Sequence, residues 1–113
     1  MGKLSRDKGA SFERCISTML RRFYPKARRG IQYRDGGKEV SDVINTPYHV
    51  ECRHGKTSNI DKKIEQAQRD CGGAPILVIT KRNKGPILVT MLLEDWILQH
   101  AKPGAENQGT IKP

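Results

Sequence analysis

The run Ile76-Leu77-Val78-Ile79-Thr80 constrains this chain more than any other stretch. It has no polar face, which suits a central strand covered on both sides rather than one open to water. Only 35% of the chain is hydrophobic, so that strand must carry much of one compact core. At 113 residues the chain is expected to form a single domain over 1–100, with a polar, flexible tail over 101–113.

The rest of the pattern supplies the covering layers. From Asp7 to Phe23 the apolar residues Phe12, Cys15, Ile16, Met19, Leu20 and Phe23 recur at helical spacing, and Pro25 ends that helix. Glu13 falls on the edge of the stripe, where a carboxylate can reach over the sheet beneath. A basic stretch over 28–36 closes on the turn signal Asp35-Gly36-Gly37. Val40 to Asn45 and Tyr48 to Arg53 read as strands joined near Thr46-Pro47. Ser58-Asn59-Ile60-Asp61 opens a second helix, whose stripe is Ile60, Ile64, Ala67 and Cys71, and Gly72-Gly73 close it. Asn83-Lys84-Gly85 turns the central strand into another over Ile87 to Met91, and Glu94 to His100 reads as a short last helix. The expected class is mixed α/β, a sheet of about five strands flanked by helices.

Charge narrows the partners. The net charge is +9, from 21 Lys and Arg against 12 Asp and Glu, and residues 1–40 hold eleven of the bases and four of the acids. Such a surface attracts nucleic acid, and no lipid-binding pattern competes with it. Arg21, Arg22 and the stretch Lys26 to Arg29 are the expected phosphate contacts, against the plainer reading of a solvated basic face. No stretch approaches the length of a membrane span and the N-terminus is not a signal peptide, so a cytoplasmic protein is expected. Cys15, Cys52 and Cys71 show no CxxC spacing. They read as reduced core residues rather than disulfide partners or zinc ligands.

Two acids sit where acids are rare. Asp42 lies among Val40, Val43 and Ile44, and Glu51 among Tyr48, Val50 and Cys52. A carboxylate inside a strand needs a partner. Along the second strand His49, Glu51 and Arg53 share one face. If the two strands pair, Asp42 and Glu51 approach and repel unless a divalent cation lies between them. Oxygen donors suit Mg²⁺ or Mn²⁺, and Glu13 can complete the shell. The alternative for either acid alone is an ion pair with a nearby arginine. The histidines His49, His54 and His100 lack zinc spacing; His49 shares a face with Glu51 and so has a secondary role at the site open to it, against the plainer reading of an exposed histidine. Trp96 reads as core or as a dimer contact.

Asp42 followed by Glu51-Cys52-Arg53 resembles the D…(D/E)xK signature of the PD-(D/E)xK nucleases, with arginine in place of the usual lysine. Lys8-Gly9-Ala10-Ser11-Phe12-Glu13-Arg14 resembles the K-G-x-x-x-E-R helix start of archaeal-type and phage Holliday junction resolvases, and the likeness runs over roughly residues 6–100. It implies a restriction-endonuclease-like core and an Mg²⁺-dependent endonuclease, with Mn²⁺ able to substitute. Glu13, Asp42, Glu51 and the Cys52 carbonyl would hold the metal. Arg53 would stabilise transition-state charge, and Gln66 would join the catalytic set. Lys8, Arg14, Arg21, Arg22, Arg28, Arg29, Lys56 and Lys63 would contact DNA. The implied partner is branched duplex DNA, a four-way junction, cut by a homodimer. Two rivals stay open: a PD-(D/E)xK nuclease with another DNA target, and a catalytically silent DNA-binding module.

Overall fold

The computed structural model describes residues 3–30, 34–35, 38–39, 41–55 and 59–101. In chain order the elements are α1 (Lys3–Leu20), β1 (Arg28–Arg29), β2 (Arg34–Asp35), β3 (Lys38–Glu39), β4 (Val43–Ile44), β5 (His49–His54), α2 (Ile60–Asp70), β6 (Ile76–Lys81), β7 (Ile87–Thr90) and α3 (Leu93–His100). The class is mixed α/β.

The apolar run forms β6, the middle strand of a three-stranded sheet. β5 lies parallel on one side and β7 antiparallel on the other. Parallel neighbours need a crossover, and α2 supplies it. Each face of the sheet has its helix. Phe12 and Ile16 of α1 pack with Val50, Leu77 and Ile79 on one face. Ala67 of α2 packs with Ile76 and Val78 on the other. The alternation of β5 follows directly: Val50 and Cys52 face α1, whereas His49 and Glu51, level with Ile76 and Val78, face α2.

The helix ends follow their sequence signals. Asn59 caps α2, its Oδ1 accepting from the Lys62 N–H at 3.1 Å. Gly72 and Gly73 leave the helix at φ +60° and +90°, a region costly for residues with a Cβ.

Among the described residues the three-stranded sheet is accompanied by two-stranded pairings, β1 with β4 and β2 with β3. Three expectations need correction. The strand expected over Val40 to Asn45 is only β4, paired to β1, and Asp42 sits in a bend before it. The cause is local, since Ser41 and Asp42 meet β5 with their side chains and a single backbone bond from Asp42, not with a ladder. The α1 stripe is narrower than its apolar residues suggest. Phe12, Ile16 and Ser17 are buried, but Cys15, Met19 and Phe23 are exposed. Arg21 to Phe23 form turns after the helix rather than its last residues. The cysteines are therefore not core residues as a set: Cys15 is exposed, while Cys52 and Cys71 are half-buried. The expected tail, apart from Ala101, lies outside the described residues.

Gly30 holds the Asp42 segment in place. Its N–H donates to the Asp42 carbonyl at 2.8 Å, and a Cβ there would run into the Ser41 carbonyl oxygen. Gly30→Ala is therefore expected to destabilise the protein by about 2 kcal/mol or more, through backbone displacement. Gly9, in α1 with open space around it, is the contrast. Gly9→Ala should gain roughly 0.5–1 kcal/mol from helix propensity. Urea denaturation of both variants checks this, and a Gly30→Ala protein as stable as the parent would contradict it.

Candidate active site

Asp42 is buried and tied to β5 by two bonds. Its N–H donates to the Val50 carbonyl at 2.8 Å, and its Oδ2 accepts from the Cys52 N–H at 2.7 Å. The second bond ties the carboxylate to the backbone of the residue after Glu51, through a side chain at a strand edge rather than through paired strands.

Glu51 is 3% exposed and projects towards α2. Its Oε1 lies 3.3 Å from Nε2 of His49, which is 6% exposed. His49 is thus buried, contrary to the sequence expectation. Asp70, at the C-terminal end of α2, joins them: one donor atom from each of His49, Glu51 and Asp70 lies within 4.8 Å of the others. This is the one such group of three among the described residues, and it excludes Glu13 and Asp42. Sequence reasoning noted the shared face of His49 and Glu51 but missed Asp70. A signal existed, because an acid in the last turn of a helix meets the negative end of its dipole and calls for a cation or proton nearby.

Glu13 reaches the site from the other helix. Its Oε1 accepts from Arg29 Nε at 2.7 Å, and the carboxylate is mostly buried. Ser17 below it donates to the Glu13 carbonyl at 2.8 Å. The link between the three predicted acids is Cys52. Burial pushes its thiol strongly up, and the carboxylates of Asp42, Glu13 and Glu51 add to the shift in that order. All three acids therefore act on the one residue whose carbonyl was expected to join them, though they do not form a closed set of ligand distances.

Arg53 follows on β5 and is exposed, its side chain making no hydrogen bond or ion pair among the described residues. Gln66 is half-buried on α2, one turn before Asp70 and so on the same side of the helix. Positive charge gathers at the C-terminal ends of β5 and β6. Lys8 donates to Asn83 Oδ1 at 2.7 Å, tying α1 to the turn after β6. The imidazole of His54 is pushed down by burial, then by Lys8 and Lys81.

The other predicted DNA contacts are spread along the chain. Arg14, Arg21, Arg22 and Arg28 are exposed, with Arg21 Nε donating to the Ala27 carbonyl at 2.7 Å. Arg29 is engaged by Glu13. Lys63 is half-buried on α2, and Lys56 lies outside the described residues.

The raised Cys52 thiol gives a direct check on this geometry. A thiol reacts as its thiolate, so a raised pKa keeps Cys52 protonated and inert through neutral pH. At pH 8 Ellman's reagent should modify exposed Cys15 first and leave Cys52 intact until the protein is denatured. Cys52 labelled as fast as Cys15 in the folded protein would contradict its burial and the acids around it.

No protein-family model matches this chain, and neither the curated proteins nor the solved structures provide a match.

Proposed function

We propose that this chain is an Mg²⁺-dependent endonuclease of the PD-(D/E)xK type, acting on branched DNA such as a four-way junction. The observation that carries the reading is Asp42, a buried carboxylate bonded to the backbone immediately after Glu51. Two buried acids, at and beside one strand edge in a chain of net charge +9, are costly as a structural device. They are useful as hard ligands beside a phosphate-binding surface.

In this reading Glu13, Asp42, Glu51 and the Cys52 carbonyl would hold Mg²⁺, with Mn²⁺ able to substitute. The donor chemistry fits, since carboxylate and carbonyl oxygens suit both ions and the neighbouring His49 nitrogen is better suited to Mn²⁺. When bound, the ion polarises the scissile phosphate and acidifies a water. The chain's own residues do the rest. Glu13 would hold the ion in place of its pair with Arg29, which would leave Arg29 to a phosphate. Arg53, exposed on β5, supports the charge that develops on the phosphate oxygens through its planar fork. It does not take a proton, because arginine stays protonated in proteins. Gln66 orients groups from α2. Lys8, Arg14, Arg21, Arg22 and Arg28 position the DNA backbone. A restriction-endonuclease-like core and a cytoplasmic location belong to the same proposal.

A catalytically silent DNA-binding module is the second reading. The Glu13–Arg29 pair favours it, because it occupies an expected ligand, and so does the arginine at position 53.

A nicking assay on a synthetic four-way junction, with and without Mg²⁺, separates the two. The parent should cleave only with metal, and Glu51→Gln and Asp42→Asn should each abolish cleavage while still binding the junction. In single-turnover rates Arg53→Ala should lose on the order of 10²–10³-fold, the usual cost of one electrostatic donor. Arg53→Lys should stay within roughly tenfold, about 1.4 kcal/mol of barrier. Full activity of Glu51→Gln would remove the site assignment, and a parent that binds without ever cleaving would favour the silent module. Binding should also weaken steeply with salt. Neutralising Arg21, Arg22 and Arg28 together should lower the log–log slope by up to about 2.7, at 0.9 per phosphate contact.

A further inference from the structure

His49, Glu51 and Asp70 gather on the face of the sheet that α2 covers, and the nuclease reading draws on Glu51 alone for a carboxylate. His49 and Glu51 stand two residues apart on β5 and are 6% and 3% exposed. Asp70 closes the group from the end of α2, with one donor atom of each residue within 4.8 Å of the others. The remaining acids of the nuclease reading are engaged elsewhere, Asp42 with the Cys52 N–H and Glu13 with Arg29.

The group is short of positive charge. Glu51 makes a single side-chain hydrogen bond or ion pair among the described residues, the 3.3 Å contact of its Oε1 with His49, and Asp70 makes none. The second oxygen of the Glu51 carboxylate, on a residue more than nine-tenths buried, thus accepts nothing from the described chain. No described Lys or Arg pairs with either acid, in a chain that has 21 such residues. A buried carboxylate without a full set of partners is costly, and the negative end of the α2 dipole falls on Asp70 as well. One imidazole serves two carboxylates and a helix end, so the component that the group calls for is a cation.

Distance and donor type select the cation. The 3.3 Å contact is long for a charge-assisted hydrogen bond, which runs about 2.7–2.9 Å. It matches two ligands on one tetrahedral zinc, where bonds of about 2.0–2.2 Å set neighbouring donors roughly 3.4 Å apart. A side-chain rotation of half-buried Asp70 closes the rest. Mg²⁺ prefers oxygen throughout, whereas one imidazole nitrogen with two carboxylates suits Zn²⁺. The thiol of Cys71 next along the chain is not one of the group, and it donates to the Gln68 carbonyl at 3.3 Å.

We propose that His49 Nε2, a Glu51 oxygen and an Asp70 oxygen bind Zn²⁺ on the α2 face of the sheet, with water as the fourth ligand. The ion would clamp β5 to the end of α2. The proposal stands on this placement and not on the nuclease reading, with which it shares Glu51. Zinc binding by a chain that cleaves nothing would leave it intact, and Mg²⁺-dependent cleavage by a chain indifferent to zinc would overturn it alone.

Isothermal titration of Zn²⁺ into the metal-free protein tests it, with Cys15→Ser throughout to remove the exposed thiol. One ion should bind per chain. His49→Gln and Asp70→Asn should each weaken binding on the order of 10–100-fold or more, the loss that even a partner behind a metal ligand causes. Asp42→Asn should keep the parent's affinity. Zinc should raise the melting temperature of the parent and not that of Asp70→Asn, and circular dichroism confirms that each variant is folded. A second readout needs no change at the site: in NMR spectra of the imidazole nitrogens, zinc should move His49 and leave His54 and His100 in place. Absence of binding, equal affinity in Asp70→Asn and the parent, or zinc retained by His49→Gln but lost with Asp42→Asn would each overturn the proposal. So would zinc-induced shifts at His54 or His100 without one at His49, or a thiolate charge-transfer band when Co²⁺ replaces zinc.

Discussion

The outer edge of β5 is satisfied by side chains, and most of what is distinctive in this protein depends on that. An unpaired strand edge presents donors and acceptors that invite another strand. Here the Val50 N–H donates to Ser41 Oγ at 2.8 Å, and the Cys52 N–H donates to Asp42 Oδ2 at 2.7 Å. The Asp42 N–H returns a bond to the Val50 carbonyl at 2.8 Å. A charged acceptor makes a stronger bond than a backbone carbonyl would, which helps to offset the cost of burying the carboxylate. The same bonds fix Asp42 against Val50 and Cys52, on either side of Glu51 in the strand. Gly30 closes the arrangement from outside, because only a residue without a Cβ fits against Ser41.

Around that edge the acids approach from both faces of the sheet. Glu13 comes from α1 and is held by Arg29. Glu51 faces α2 and is held by His49, with Asp70 close by. Cys52 lies between them, and its raised thiol registers all three carboxylates. Two of these acids thus have basic partners that a divalent ion would displace. Binding such an ion would replace the Arg29 ion pair and the His49 contact rather than fill a bare acidic hole, and it would release an arginine at the edge of a strongly basic surface. That coupling of metal to phosphate binding is what the proposed function requires of this arrangement.

Much of this was legible in the sequence. The apolar run of β6, the alternation along β5, the Asn59 cap and the Gly72-Gly73 stop each reflect local physics that tertiary contacts did not override. The contact of Asp42 with β5 was also legible, but its mechanism was not. Periodicity shows that Val40 to Asn45 is apolar enough for a strand, and cannot show that Ser41 and Asp42 will bond to β5 through their side chains. The α1 stripe misled for a related reason: an apolar residue at helical spacing is buried only if a partner lies opposite it, and none of the described elements covers Cys15, Met19 or Phe23. Asp70 lies sixteen residues and a whole helix from its partners' strand, so only the crossover from β5 to β6 brings it to His49 and Glu51.

The central claim, that the acids gathered around Cys52 bind a divalent ion, is tested most directly by titrating Mn²⁺ into the isotopically labelled protein and following amide signals by NMR. Paramagnetic broadening should first remove the signals of Asp42, Glu51 and Cys52, at metal below one equivalent, with Glu13 next. Amides of β7 and α3 should persist. Broadening spread evenly over exposed acids such as Asp61, Glu65 and Glu94, or none until metal is in large excess, would contradict the claim.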